Sequence, residues 1–275
     1  MAALQLVHTQ VSPYLDRTPA ARASLAALAS RGARARWDHL AYRSFGTPGP
    51  GLEAAAAPWL ELGYERRERL DFPKKHLTAY WYSPPEELRE ELPRVFSSEL
   101  RVGELSQGAQ EVVARLLSGP AAGHLPWAAP TREEYELLAG ESEYAAWVSV
   151  HGPRVNHAAV AVHTLGEGVS TLEDCNALLR AAGLSLNEAG GVLKVSPDGL
   201  LRQSSTKADA EPFAFACGSE AEVPGAYIEF AERLPLPQFA GEEPAGGFRE
   251  RHRRDGFEVG NADGIFESTS LRQAA

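Results

Sequence analysis

Cysteine is nearly absent from this chain. Cys175 and Cys217 are the only two among 275 residues, and neither belongs to a C-x-x-C pair. A disulfide framework and a cysteine-based zinc site are therefore excluded, and a reducing compartment fits best. Long apolar runs are missing too: none approaches the ~18 residues that a membrane span needs. Met1 to Gln10 has no basic stretch followed by a long apolar one, so a secretory leader is not expected. It also lacks the Arg- and Ser-rich character of a transit peptide, although a trimmed chain would look the same. Basic charge is in short supply, with 27 Lys and Arg against 37 Asp and Glu and a net charge of -10. Grip on nucleic acid needs clustered cations, so an acidic chain argues against that partner. The one basic run, Arg249 to Arg254, is interrupted by Glu250 and followed by Asp255, and it reads as solvated surface. What remains is an ordinary globular composition, 44% hydrophobic and 23% charged, in a chain long enough to bury roughly three quarters of its unfolded surface without staples.

Local patterns predict the elements. Asp16, Thr18 and Pro19 with Leu25, Leu28 and Ala29 at helical spacing predict an N-terminal helix over residues 10 to 31. Trp37 to Phe45 reads as a strand. The Gly46 to Gly51 run after it lacks the Gly-Lys-Ser/Thr ending of a phosphate loop and reads as a turn. An Ala-rich helix from Leu52 to Leu62 is closed by Gly63. Strands follow over Tyr64 to Phe72, His76 to Tyr82 and Arg94 to Val102. Residues 104–147 form a helical insert, with helices over Leu105 to Leu117 and Thr131 to Trp147. Then the first pattern returns: strand Arg154 to His163, helix Ser170 to Ala182, a hairpin of Gly191 to Val195 with Gly199 to Lys207, a short strand Pro212 to Ala216, and a last strand Tyr227 to Leu234. The tail from Pro235 to Ala275 is rich in Pro, Gly and charge and is expected to wrap the surface.

Asp38-His39-Leu40-Ala41-Tyr42 opens the first half, and Asn156-His157-Ala158-Ala159-Val160 opens the second. Together with the matching order of elements, this echo suggests two similar modules, about 37–102 and 154–234, paired within one α+β domain spanning 1–275. Strand side chains alternate faces, so His39, Ala41, Arg43 and Phe45 share a side. So do His157, Ala159, Ala161 and His163, and likewise Tyr227, Glu229, Ala231 and Arg233. Each polar residue sits two positions from an alanine, which leaves space beside it. Two imidazoles and one carboxylate from three strands match the ligand set of a facial triad, which suits Fe, Zn, Ni or Mn and leaves positions open. The plain alternative is a pair of hydrogen-bonded strand histidines with Glu229 paired to Arg43. Gln203, Ser205 and Lys207 also alternate onto one face, either toward a ligand or toward solvent. Ser204-Ser205 lacks the G-x-S-x-G turn, so serine hydrolysis has little support.

At these residues the sequence resembles the 2-oxoadipate dioxygenase/decarboxylase family, whose members are also called 2-hydroxyglutarate synthases. The stretches that carry the resemblance are Asp38-His39-Leu40-Ala41-Tyr42-Arg43-Ser44-Phe45-Gly46, Val155-Asn156-His157-Ala158-Ala159, Tyr227-Ile228-Glu229-Phe230-Ala231-Glu232-Arg233, and Arg254-Asp255-Gly256-Phe257-Glu258-Val259-Gly260-Asn261-Ala262-Asp263. It runs from about Tyr14 to Ser270 and is nearest to the shorter, plant-type branch. The resemblance implies a vicinal-oxygen-chelate fold, in which two βαβββ modules curl into a half-open barrel around one metal. It implies Fe(II) held by His39, His157 and Glu229, with Arg43 as the catalytic residue that takes the substrate carboxylate. A planar guanidinium pairs bidentately with a carboxylate and stays charged when desolvated. Arg43 lies two strand repeats beyond His39, about 13 Å along the strand, a gap that a six-carbon diacid and a long side chain can bridge. The implied reaction takes a 2-oxo diacid, 2-oxoadipate, and O2 to 2-hydroxyglutarate and CO2, as in lysine breakdown. Gln203, Ser205 and Lys207 are expected to line the substrate cavity. Cytoplasm is the expected compartment, with a plastid as the alternative.

Two rivals stand beside this reading. Another metal enzyme of the same fold, an extradiol dioxygenase or a glyoxalase-like isomerase, would use the triad but leave Arg43 without a carboxylate. A non-enzymatic binding protein would keep the cavity and need no metal.

Overall fold

The order of apolar and polar residues produces a sheet whose two faces are both covered. The computed structural model describes every residue except 50, 120, 123, 124, 240–243, 245, 246 and 271–275, so Pro50 of the expected turn and the end of the tail lie outside the described residues. In chain order the elements are α1 (Ala2–Asp16), α2 (Pro19–Ser30), β1 (Trp37–Phe45), α3 (Leu52–Leu60), β2 (Glu65–Phe72), β3 (Leu77–Ser83) and β4 (Arg94–Leu100). The insert follows, with α4 (Gln107–Leu116), a two-residue ladder of β5 (Ala121–Ala122) and β6 (Leu125–Pro126), α5 (Arg132–Glu141) and α6 (Glu143–His151). The second half holds β7 (Arg154–Ala161), α7 (Leu172–Ala181), β8 (Lys194–Val195), β9 (Leu201–Ser205), β10 (Ala210–Ala214), β11 (Glu220–Pro224), β12 (Tyr227–Arg233) and α8 (Val259–Phe266).

Eight strands form one sheet in the order β2-β3-β4-β1-β7-β12-β9-β8. Its two halves follow one plan. In each, the first strand pairs in parallel with the last: β1 with β4 and β7 with β12. The antiparallel pairing of β1 with β7 joins the halves. This is the paired βαβββ half-barrel that the family resemblance implies, and its two halves are the similar modules that the Asx-His echo suggested. The outward-facing Leu40, Tyr42, Ala158, Val160, Ile228 and Phe230 pack under α1, α2, α3 and α7. The opposite face, with Ala41, Phe45, Ala79 and Phe96, is covered by α4 and α6 of the insert and by Phe266 of α8.

Several expected elements take a different form. The single N-terminal helix is two, broken at Arg17 and Thr18, with Pro19 at the first position of α2, where its missing N–H costs nothing. The helix expected from Thr131 to Trp147 is also two. Ser142 is extended (φ -154°, ψ 109°), and its hydroxyl caps α6 through the Ala145 amide. The strand ending at His163 stops at Ala161, and a single 3-10 turn carries His163 away. The hairpin of β10 and β11, outside the main sheet, went unforeseen beyond its first strand. The tail does not simply wrap the surface: it contributes α8, which buries Asn261, Ile265 and Phe266 against the inner face of the sheet. Nor is the basic run plain solvated surface, since Glu250 and His252 within it are buried. Glu250 accepts hydrogen bonds from Arg36, Arg94 and His163, which anchor the start of the tail.

Candidate active site

Register sets the site. His39 on β1 lies opposite Ala159 on β7, and Ala159 lies opposite Glu229 on β12. His157 occupies the neighbouring row between Ala41 and Tyr227. An alanine therefore stands beside each imidazole, and the three side chains converge above small residues. Glu229 Oε2 comes to 3.4 Å from His39 Nε2 and 3.2 Å from His157 Nε2. One ligand atom from each of the three lies within 4.8 Å of the others, and all three residues are buried.

Each of these groups is fixed from behind. His39 Nδ1 donates to Asp38 Oδ1 at 2.7 Å, and His157 Nδ1 donates to Asn156 Oδ1 at 3.0 Å. Both Nε2 atoms thus face inward, the orientation from which an imidazole can ligate once it is neutral. Glu229 Oε1 accepts from Gln203 Nε2 at 2.6 Å, while Gln203 Oε1 accepts from Asn261 Nδ2 at 2.9 Å, which leaves Oε2 turned toward the imidazoles. The electrostatics are unequal. Burial would lower the His39 pKa, but Glu229 and the bond to Asp38 raise it to about 8. Burial lowers that of His157 to about 4, against the pull of Glu229. Burial would raise the Glu229 pKa, yet the two imidazoles hold its carboxyl well below the usual range. A buried carboxylate facing two buried imidazoles is a donor set that fits a divalent cation.

Phe96, Phe257, Ala262, Ile265 and Phe266 wall the space beside this cluster, about 20 Å³ and enough for one ion or water. Phe257 sets its ring against His39 at 4.9 Å between centroids, and Tyr227 stacks on His157 at 4.6 Å. Phe266 also lines a second cavity of about 170 Å³, which includes Arg43, Tyr144 and Thr269. Arg43 is only 2% exposed, and its guanidinium lies 5.1 to 5.5 Å from the Tyr144, Trp147 and Phe266 ring centroids. Nη1 donates to Thr269 Oγ1 at 3.0 Å, but Nε and Nη2 have no hydrogen-bond partner among the described residues. A buried cation with idle donors is costly unless a ligand completes it.

The residues singled out in the sequence separate into groups. His39, His157, Glu229 and Gln203 meet at one cavity, and Arg43 lies in the adjoining one. Gln203 bonds Glu229 and so serves the carboxylate directly. Ser205 is buried and shares a hydrogen bond with Ser268 Oγ. Lys207 lines a different cavity, with Asp209 and Thr269. The sequence reading missed the tail's contribution, Phe257, Asn261, Phe266 and Thr269. Its signal was the Arg254 to Asp263 motif, whose purpose only packing reveals.

A family model described as 2-oxoadipate dioxygenase/decarboxylase matches residues 2–121 and 119–243. The 2-oxoadipate dioxygenase/decarboxylase, chloroplastic/amyloplastic, of Oryza sativa subsp. japonica is 44% identical over 279 aligned positions, covering 94% of this chain and 76% of the relative. The chain belongs to the 2-oxoadipate dioxygenase/decarboxylase family. The crystal structure of the Oryza sativa hydroxyglutarate synthase in complex with 2-oxoadipate superposes with a TM-score of 0.92 at 41% identity, covering 98% of this chain and 92% of that one. A glyoxalase superfamily protein from Ralstonia eutropha JMP134 shares the fold, at a TM-score of 0.71 and 22% identity over 85% of this chain and 83% of its own. Among the described residues no helix is long and apolar enough to cross a membrane.

Proposed function

We propose that the protein converts 2-oxoadipate and O2 to 2-hydroxyglutarate and CO2, with Fe(II) held by His39, His157 and Glu229. The observation that carries this reading is a buried two-His, one-carboxylate cluster beside a cavity where two guanidinium nitrogens of Arg43 have no partner among the described residues. The bound iron would supply activation of O2, relaying to it the electrons that the substrate gives up as the C1–C2 bond is cleaved and the next carbon is hydroxylated. The balance is complete within one substrate: C1 leaves as CO2, one oxygen atom enters the new carboxylate and the other becomes the hydroxyl.

The chain's own residues hold and orient. Arg43 presents Nε and Nη2 to the carboxylate remote from the oxo group, in a setting of aromatic faces that strengthens the pairing. Phe96, Phe257, Ile265 and Phe266 exclude water from the reacting end. Gln203 fixes Glu229 so that one oxygen faces the metal. Ser205 braces the tail through Ser268 Oγ, and Lys207 lines a separate cavity that shares only Thr269 with that of Arg43. A catechol or a glyoxalase substrate would leave Arg43 without a partner. Two free cysteines, Cys175 buried and Cys217 exposed, accord with a reducing compartment such as the cytoplasm or a plastid stroma.

The test is anaerobic loading with Fe(II), followed by oxygen uptake and product analysis with 2-oxoadipate, beside a His157→Ala control. One O2 consumed per 2-hydroxyglutarate and CO2 formed, lost in the control, is the expected result. Tight iron binding without turnover would move the search to other 2-oxo acids, and no iron binding would overturn the metal reading.

A further inference from the structure

Arg233 ends β12 on the same face as Glu229, and none of its side chain is exposed. Four of its five donors are in use. Nε and Nη2 grip Asp38 side-on at 2.7 and 2.9 Å, while Nη1 donates to the carbonyls of Arg254 and Gly256 at 3.0 and 2.8 Å. Asp38 in turn holds Nδ1 of His39. Gly256 takes a positive φ of 73°, which lets the chain turn tightly and deliver Phe257. The Phe257 ring lies 5.6 Å from the Arg233 guanidinium and closes edge-on against His39. These contacts form a ring: His39, Asp38, Arg233, the Gly256 backbone, Phe257 and back to His39. A lysine could supply the charge but not the fork, because a single ammonium cannot bond two carboxylate oxygens and two carbonyls in these directions at once.

We infer that Arg233 is a positioning residue that makes the metal-facing imidazole of His39 and the Phe257 wall of the tail one mechanical unit. The inference rests on the metal reading of His39. Arg233 touches no reacting atom in that reading; it acts through Asp38 on one side and through the tail backbone on the other. Loosening either end then loosens both. The same contacts explain why a tail with few helix-forming residues keeps a fixed place over the site.

The test pairs two readouts on the full chain. One is the affinity for Fe(II) alone, measured anaerobically by calorimetry; the other is hydrogen exchange of the amides over 256–262, without metal. Arg233→Lys is expected to weaken Fe(II) binding 10- to 100-fold, the usual cost of losing a ligand's supporting partner. It should also speed exchange over 256–262, while the amides of β3 keep their protection. Asp38→Asn, which preserves shape and one acceptor, should shift both readouts in the same direction and serves if Arg233→Lys does not fold. Phe257→Leu should reproduce the effect from the other end, with a smaller loss of affinity. A change in one readout with the other at its wild-type value would overturn the coupling, as would equal acceleration in β3. If the unaltered protein binds no Fe(II), the metal reading fails by itself. The exchange arm then still decides the link, which is lost if Asp38→Asn leaves 256–258 unchanged.

Discussion

β1 and β7 are the same strand in two modules, and the comparison between them is instructive. Each begins with an Asx-His pair, each puts an alanine two places on, and each pairs in parallel with the last strand of its module. Across from Ala159 on that last strand stands Glu229; across from Ala41, at the equivalent place, stands Phe96. One duplicate kept a carboxylate and the other an aromatic wall. The supports differ as well: Asp38, a carboxylate, stands behind His39, and Asn156, an amide, behind His157. The backbone repeat thus builds a symmetrical frame, and side-chain divergence makes the site one-sided, with two imidazoles and a carboxylate on one flank and an apolar wall on the other.

The sharpest way to break this asymmetry is to remove the single carboxylate. Glu229→Gln is expected to lower Fe(II) affinity by more than a hundredfold, since a charged ligand is replaced by a neutral one, and anaerobic titration would show it. Restoring symmetry is the converse experiment. Phe96→Glu should keep or tighten Fe(II) binding but cut turnover by about a hundredfold or more, because a fourth protein ligand closes an open position. Metal affinity and oxygen uptake measured on the same preparation separate the two effects. Arg43→Lys tests the substrate end alone. Loss of charge-assisted hydrogen bonds worth about 1.5–3 kcal/mol should raise KM for 2-oxoadipate by roughly 10- to 100-fold, with Fe(II) affinity unchanged.

The unequal imidazoles predict a pH dependence. Without metal, His39 titrates near 8 and carries a proton at neutral pH, whereas His157, near 4, does not. A protonated imidazole cannot ligate, so metal binding must displace one proton below pH 8. Affinity should fall about tenfold per unit from pH 8 to pH 6 and level off above, and calorimetry in buffers of different ionisation enthalpy should count about one proton released. Asn156→Asp gives the smallest effect. It should raise the His157 pKa and steepen that fall below pH 7, with little change in affinity at pH 8.5.

Much of this was legible in the sequence because it rests on local rules. Period-two alternation placed His39, Ala41 and Arg43 on one face, and β1 has the bounds read from its residues, Trp37–Phe45. The echo of Asp38-His39 in Asn156-His157 announced the duplication. Less legible were elements whose local preference is weak. Val259–Phe266 contains Gly260, Asp263 and Gly264, a poor helix by propensity, yet it forms α8. Packing explains why: a Cβ on Gly264 would meet the Lys194 side chain at 3.1 Å, and its carbonyl accepts from Asn187. Lys207 shows the opposite failure, since alternation put it on the face of Gln203 but β9 ends at Ser205 and the chain turns it toward another cavity.

By itself the sequence determined the strands of the main sheet, the two-module frame and the identity of the residues able to ligate, since side-chain period and residue chemistry are properties of short stretches. The tertiary structure alone decided which atoms meet. Register across β1, β7 and β12 brought three ligand atoms within 4.8 Å. The tail, some two hundred residues from His39 in the chain, closed the pocket through Phe257, Asn261 and Thr269. Contacts that distant are fixed by burial and by the need to satisfy buried polar groups, and both are settled only when the whole chain is packed.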